Sequence, residues 1–307
     1  MAEEQTPNRL GLGIFICLVA YVFFVIASSL VWDFQDRFPT IQIICIQNCV
    51  SLLCILPVAL RKGIGRLKTE ELPNHLIRDV MGVLSYYLFF LAIRFLNLVD
   101  AVVLNYTAPF FVPFIWWIWM REKIGHHIWW SIILGFIGVA VILNPSRQIF
   151  QIGFLFGVFA GIASAVSFCA LRVLNLRNEP MSRTLFYYFL TGSIISFPFA
   201  WVYWVPPTEI EWVQAIGIGV STAIAQVLLT IAYRYGTASY LSPLGYSTVI
   251  YAGLSSWIFF NIPLSFRELV GIVLVIIGGT LTYILKKKPE SVAETFEVPK
   301  PGEKPPL

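Results

Sequence analysis

Charge is scarce in this chain. Only 12% of its 307 residues are Asp, Glu, Lys or Arg, about half the share of an ordinary soluble domain. Those charges cluster between long apolar runs, and 58% of the residues are hydrophobic. That pattern excludes a water-soluble globular domain and indicates a chain that crosses a membrane many times. The net charge of +4 suits loops anchored at a bilayer and gives no footprint for nucleic acid.

Histidine occurs three times and cysteine five times. Cys17, Cys45, Cys49, Cys54 and Cys169 all sit inside apolar runs and form no C-x-x-C pair. They read as small buried hydrophobes. His75, His126 and His127 are expected in short polar connections, so neither a metal site nor a cofactor is expected. The first ten residues, "MAEEQTPNRL", lack the basic start of a cleavable signal peptide and are expected to form a cytoplasmic N-terminus. The stretch 286–307 opens with three lysines and carries five prolines. It cannot build a core and is expected to be a disordered cytoplasmic tail.

Ten apolar runs remain, at approximately 11–31, 40–60, 76–96, 99–119, 129–143, 152–174, 183–204, 212–233, 238–260 and 267–285. They lack strand alternation, and an open sheet could not satisfy its edges in lipid. The expected fold class is therefore an all-α polytopic membrane protein with ten transmembrane helices. Alternate connections divide Lys and Arg unequally. Arg37, Arg94, Arg147 and Arg267 fall on one side and the other 17 of the 21 basic residues on the opposite side. Positive charge stays cytoplasmic, so both termini are expected to face inward. Trp116, Trp117, Trp119, Trp129 and Trp130 bracket one turn, and Trp201, Trp204 and Trp212 bracket another, at the depth where indole rings prefer to sit.

The chain also matches itself at an offset of 140. Between 92 and 143 ten positions are identical without a gap, among them Arg94 on Arg234, Leu104 on Leu244, Tyr106 on Tyr246, Trp117 on Trp257 and Gly138 on Gly278. Gly13 and Ala20 fall on Gly153 and Ala160. The reading is two five-helix repeats, 11–145 and 152–285. An odd number of helices inserts the second copy from the opposite side, which makes the repeats inverted. Secondary transporters are built this way, with their sites near the midplane beside broken helices.

Both fourth helices contain breaks. In "VLNYTAPFFVPF" at 103–114, Pro109 frees the carbonyl of Asn105; in "LSPLGYST" at 241–248, Pro243 frees that of Ser239 and Gly245 adds slack. Irregular backbone at membrane depth is tolerated where it lines a cavity. Pro109, Pro113, Pro243 and Gly245 are therefore candidate hinge positions. Tyr21, Tyr86, Asn105, Tyr106, Gln226 and Tyr246 are candidate solute-binding residues. The same breaks serve equally as hinges that touch no solute. Gln47 and Asn48 read either as cavity lining or as polar glue between helices.

Arg78 is counted with the connection before the third helix, and Asp33, Asp100, Arg94, Arg172 and Arg234 lie at run ends. No ionisable residue is then expected near the centre of a span. A proton relay usually needs one, so exchange or facilitated movement is expected over tight proton coupling. Aromatic and amide groups suit a zwitterion, a heteroaromatic ring or an organic cation.

The ten helices, the repeat and "EKIGHHIWWSIILGFIGVAVILNP" at 122–145 resemble the drug/metabolite transporter superfamily, EamA type. Glu122 follows the fourth helix, and Gly135 and Gly138 space the fifth, as in that family. The second copy departs from the pattern, with Ile262 at the glutamate position and Glu268 nearby. The resemblance implies a secondary transporter in a bacterial inner membrane that moves a small metabolite by alternating access. S-adenosylmethionine, an amino acid or an organic cation lead as substrates. The expected partners are that solute and the lipid bilayer, with no nucleic acid; oligomeric state is not read from the sequence. A non-transporting receptor or structural protein is the alternative. An intramembrane enzyme is less favoured, because no G-x-S-x-G, H-E-x-x-H or central His is present.

Overall fold

The computed structural model describes residues 7–61, 67–105, 107–120, 133–134, 137–138, 141, 152–235, 241, 244–245, 247–261 and 265–284. Within them the elements are α1 (Pro7–Phe34), α2 (Thr40–Leu60), α3 (Leu72–Phe95), α4 (Leu98–Asn105), α5 (Ala108–Met120), α6 (Ile152–Leu176), α7 (Met181–Val202), α8 (Glu209–Tyr235), α9 (Ser247–Phe260) and α10 (Phe266–Ile284). No strand occurs among the described residues. α1, α2, α3, α6, α7 and α8 are each long and apolar enough to span a bilayer.

Their outward faces are apolar as well. Phe15, Leu53, Ile194 and Trp201 are more than three-fifths exposed, a surface that water would penalise and lipid accepts. The chain is a polytopic membrane protein. Inside the helices, hydroxyls turn back onto their own backbone. Ser28 donates to the carbonyl of Phe24 and Ser29 to that of Val25, each at 2.9 Å. Thr230 donates to that of Gln226 at 2.7 Å. These bonds satisfy groups that lipid cannot.

The most extensive helix pairings are α3 with α6, α1 with α8 and α2 with α7. The offset of 140 carries α1 onto α6, α2 onto α7 and α3 onto α8. It therefore exchanges the first two pairings and returns the third to itself. Close contacts obey the same exchange. A Cβ placed on Gly13 would lie 2.9 Å from the Cβ of Tyr235, and one on Gly153 would lie 2.7 Å from the Cβ of Phe95. Gly13 and Tyr235 are the offset partners of Gly153 and Phe95. Small residues let such helices approach at backbone distance.

The break expected in the fourth span is present. α4 ends at Asn105 and α5 starts at Ala108. The carbonyl of Leu104 accepts from the Thr107 amide at 3.1 Å and from the Thr107 hydroxyl at 2.6 Å. The chain then re-enters a helix, with the Phe110 amide bonded to the Thr107 carbonyl at 2.9 Å. Leu244 and Gly245 form a 3₁₀ turn just ahead of α9. Pro109 and Pro113 contribute backbone alone to the described structure, and Pro243, the turn at 121–132 and the tail lie outside it.

One boundary differs in a way that matters. α3 begins at Leu72 rather than 76, with Pro73 in its first turn, where the missing amide costs nothing. His75, Arg78 and Asp79 are thereby carried into the helix, and all three are buried. The expectation that His75 and Arg78 sit in a polar connection is corrected.

Candidate functional site

A cavity opens between the helices, with about 900 Å³ of unfilled space counting the part open to solvent. Four of the six solute-binding candidates line it together: Tyr21 from α1, Tyr86 from α3, Asn105 from the end of α4 and Gln226 from α8. Tyr106 and Tyr246 lie outside the described residues. Gly245 is buried and is not among the lining residues.

The broken fourth span supplies a corner of the wall. Asn105 and Ala108, the residues flanking the break, both face the cavity. A polar seam runs inward from Asn105: its Oδ1 accepts from Ser164 at 3.4 Å, Ser164 and Ser85 hydroxyls lie 2.6 Å apart, and Ser85 donates to the Ala160 carbonyl at 3.0 Å. Gly161 brings α6 against the break, since a Cβ there would meet Thr107 Oγ1 at 2.5 Å. The remaining wall is aromatic, with Phe24, Phe89, Phe90 and Phe168 joining Tyr21 and Tyr86.

Gln47 and Asn48 divide between the two readings offered for them. Gln47 lines the cavity, 1% exposed, and its Oε1 has no partner. Asn48 bonds the Ile44 carbonyl at 2.8 Å, and Gly192 of α7 packs directly on it, so it joins helices.

Arg78 is the residue that sequence reasoning missed. It lines the cavity at 2% exposure. Its Nη1 donates to Asp79 at 3.1 Å and to the Thr184 carbonyl at 3.4 Å, and its guanidinium carbon lies 4.3 Å from the Tyr188 ring centre. Its Nε is buried without an acceptor. Gly82 makes the approach of Tyr188 possible, since a Cβ there would meet that ring at 2.5 Å. Asp79, fully buried, is not a lining residue; its other oxygen accepts from Thr191 at 3.4 Å. The signal was available: Arg and Asp adjacent, followed by an uninterrupted apolar run, read as a self-neutralising pair inside a helix. Arg78 stands in the second turn of the 24-residue α3 and is not a central group of the span, yet the cavity carries its guanidinium.

Polar contacts tie the helices at both ends of the bundle. At one end the 67–71 segment meets the α6–α7 connection. Arg177 pairs with Glu71, Thr69 bonds Glu179, Arg183 pairs with Glu179 at 2.7 Å, and Tyr187 donates to the Leu67 carbonyl at 3.0 Å. At the other end Arg37 pairs with Glu211, and Gln42 exchanges two hydrogen bonds with Val205, at 2.7 and 2.9 Å. Segments that the charge count assigned to one face thus meet each other. Arg37 and Glu211 are also the offset partners of Arg177 and Glu71. The repeat exchanges one ion pair for the other.

An all-helical bundle with apolar outer faces, a broken helix and a mixed aromatic and polar cavity defines a multi-pass membrane protein equipped to hold a small solute. The EamA-like transporter family matches residues 11–144 and again 151–284, and the chain belongs to that family. It is similar to the pseudopaline exporter of Pseudomonas aeruginosa, at 25% identity over 87% of this chain and 94% of that one. It is also similar to the riboflavin transporter of Vibrio cholerae, at 27% identity over 80% and 83%. A third relative is the S-adenosylmethionine uptake transporter of Rickettsia bellii, at 26% over 78% and 81%. A solved crystal structure shares the fold at a TM-score of 0.70, with 16% identity over 91% of this chain and 98% of its own.

Proposed function

We propose that this chain is a secondary transporter that moves a small organic metabolite across the bacterial inner membrane by alternating access. Two inverted five-helix repeats, 11–145 and 152–285, rock about the cavity, with both termini cytoplasmic. The observation that carries the reading is the repeat-related pairing. The contacts Gly13–Tyr235 and Gly153–Phe95, and the ion pairs Arg37–Glu211 and Arg177–Glu71, exchange under one offset. A cavity bounded by interchangeable halves, each tied at its own end, supports access from either side in turn.

Tyr21, Tyr86, Asn105 and Gln226 form the described part of the solute site, and Tyr106 and Tyr246 complete it across the two fourth-helix breaks. The names of the relatives support a small organic solute, with S-adenosylmethionine, an amino acid or an organic cation as the leading classes. Exchange or facilitated movement remains the favoured mode. The buried carboxylate of Asp79 is held by Arg78 and does not line the cavity, so it offers a poor proton relay.

The test is uptake by cells expressing the chain, from a labelled panel of amino acids, choline-like cations and S-adenosylmethionine, with and without a protonophore. Saturable, protonophore-insensitive uptake of one compound is expected, depressed by Tyr106→Ala and by Tyr246→Ala without loss of membrane insertion. Normal transport by both variants sinks the site assignment, and protonophore-abolished uptake sinks the mode.

A further inference from the structure

We infer that Arg78 docks the carboxylate of the transported solute and that Gln47 accepts a hydrogen bond from the solute's nitrogen, so that the cavity selects a zwitterion of amino-acid type. The inference rests on reading this cavity as the solute site. Two groups of opposite hydrogen-bonding sense are buried in the cavity wall without partners, the Arg78 Nε donor and the Gln47 Oε1 acceptor. Each is costly to leave unmade in a low-dielectric interior, and a ligand bearing both an anion and an N–H satisfies both.

The geometry of Arg78 narrows the anion. Both of its protein hydrogen bonds leave from Nη1. Tyr188 covers one face of the guanidinium. The edge that includes Nε is left, and a guanidinium edge forks onto the two oxygens of a carboxylate. Asp79 already offsets one unit of charge, so a singly charged carboxylate fits better than a dianionic phosphate. The aromatic wall of Tyr21, Tyr86, Phe89 and Phe90 takes the apolar or cationic remainder. A bare organic cation has nothing to give Arg78.

The experiment compares matched ligands on the purified full-length protein in detergent, with flux measured in proteoliposomes. The pairs are S-adenosylmethionine with its decarboxylated form, L-tryptophan with tryptamine and L-methionine with L-methioninamide; choline and a sugar phosphate complete the panel. A charge-assisted hydrogen bond contributes about 1.5–3 kcal/mol, or roughly 10- to 150-fold in affinity. The wild-type protein is expected to favour the carboxylate member of one pair by that factor. Arg78→Gln, made together with Asp79→Asn so that no buried charge is left unpaired, is expected to bring the pair to within about threefold while the protein still elutes as a folded species, and Arg78→Lys to fall between. Equal binding within each pair by wild type, preference for choline or the sugar phosphate, or undiminished discrimination in that double variant overturns the carboxylate anchor and leaves the transport reading standing. Absence of saturable flux for every compound, carboxylate or not, overturns the transport reading and the anchor with it.

Discussion

Alanine substitution at three glycines near helix starts separates packing from propensity. A Cβ added at Gly11 would meet nothing within 4 Å, so Gly11→Ala gains only helix propensity, about 0.8–1.0 kcal/mol. Gly13→Ala gains the same but places its Cβ 2.9 Å from Tyr235 Cβ and 3.4 Å from the Ala232 carbonyl oxygen. Gly153→Ala places its Cβ 2.7 Å from Phe95 Cβ and 2.9 Å from Leu96 Cγ. A Cβ cannot rotate away as the end of a long side chain can, so α1 must part from α8, or α6 from α3. Overpacking of this kind costs about 1–3 kcal/mol, which leaves a net loss of about 0–2 kcal/mol at each site after the propensity gain. The expected order of stability is Gly11→Ala, then wild type, then Gly13→Ala and Gly153→Ala close together. Thermal unfolding in detergent, followed with a thiol-reactive dye, reads it directly, because Cys17, Cys45 and Cys169 are buried until the bundle opens. The repeat demands that the last two fall together. A loss at one site and a gain at the other would refute the claim that the two contacts are equivalent.

The same packing sets three further outcomes. Asp79→Ala leaves Arg78 buried and uncompensated and is expected to cost about 3–5 kcal/mol, whereas the double replacement Arg78→Leu with Asp79→Leu recovers most of that loss; the unfolding midpoints of the two variants against wild type decide it. Gly82→Leu drives a side chain into Tyr188 and Ser167 and is expected to abolish solute binding more than it lowers the midpoint, as binding and unfolding measured on one preparation will show. Breaking Arg177–Glu71 and breaking Arg37–Glu211 are expected to expose a cysteine placed at Ser164 to impermeant thiol reagents from opposite faces of the membrane, on a background with the native cysteines replaced; labelling from one face in both variants contradicts the assignment of the two pairs to opposite ends.

Much of this was legible because membrane helices advertise themselves by composition. The break at 106–107 could be read from Pro109, and the convergence of Tyr21, Tyr86, Asn105 and Gln226 from their depth in their runs and from the repeat. What stayed hidden was Arg78. The hydropathy reading started the run at 76 and counted Arg78 with the polar connection before it, so α3 lost its opening turn and the guanidinium was assigned to water. The physical reason it survives in the bundle is pairwise: Asp79 neutralises it, the Thr184 carbonyl accepts a hydrogen bond from it and Tyr188 covers a face. None of those partners except Asp79 is near it in sequence. Ser164 and Tyr188 were missed for a related reason, since a lone hydroxyl in an apolar run looks the same whether it faces a cavity or a neighbouring helix.

The two offset-related ion pairs carry a consequence for energetics. On the proposed alternating-access reading, with each end of the bundle fastened by the same chemistry, the inward-open and outward-open forms each give up one fastening and keep the other, and neither is strongly preferred by the empty protein. Net direction then belongs to the solute gradients on the two sides rather than to the chain. Duplication supplies that balance without any tuning, and departures from it become informative. Each end adds its own polar contacts to the pair, Thr69 with Glu179 and Tyr187 with Leu67 at the Arg177 end, and Gln42 with Val205 and Gln214 with Asp33 at the Arg37 end, so neither end holds a visible surplus. On that reading, contacts added at one end alone would weight the empty protein toward closure there.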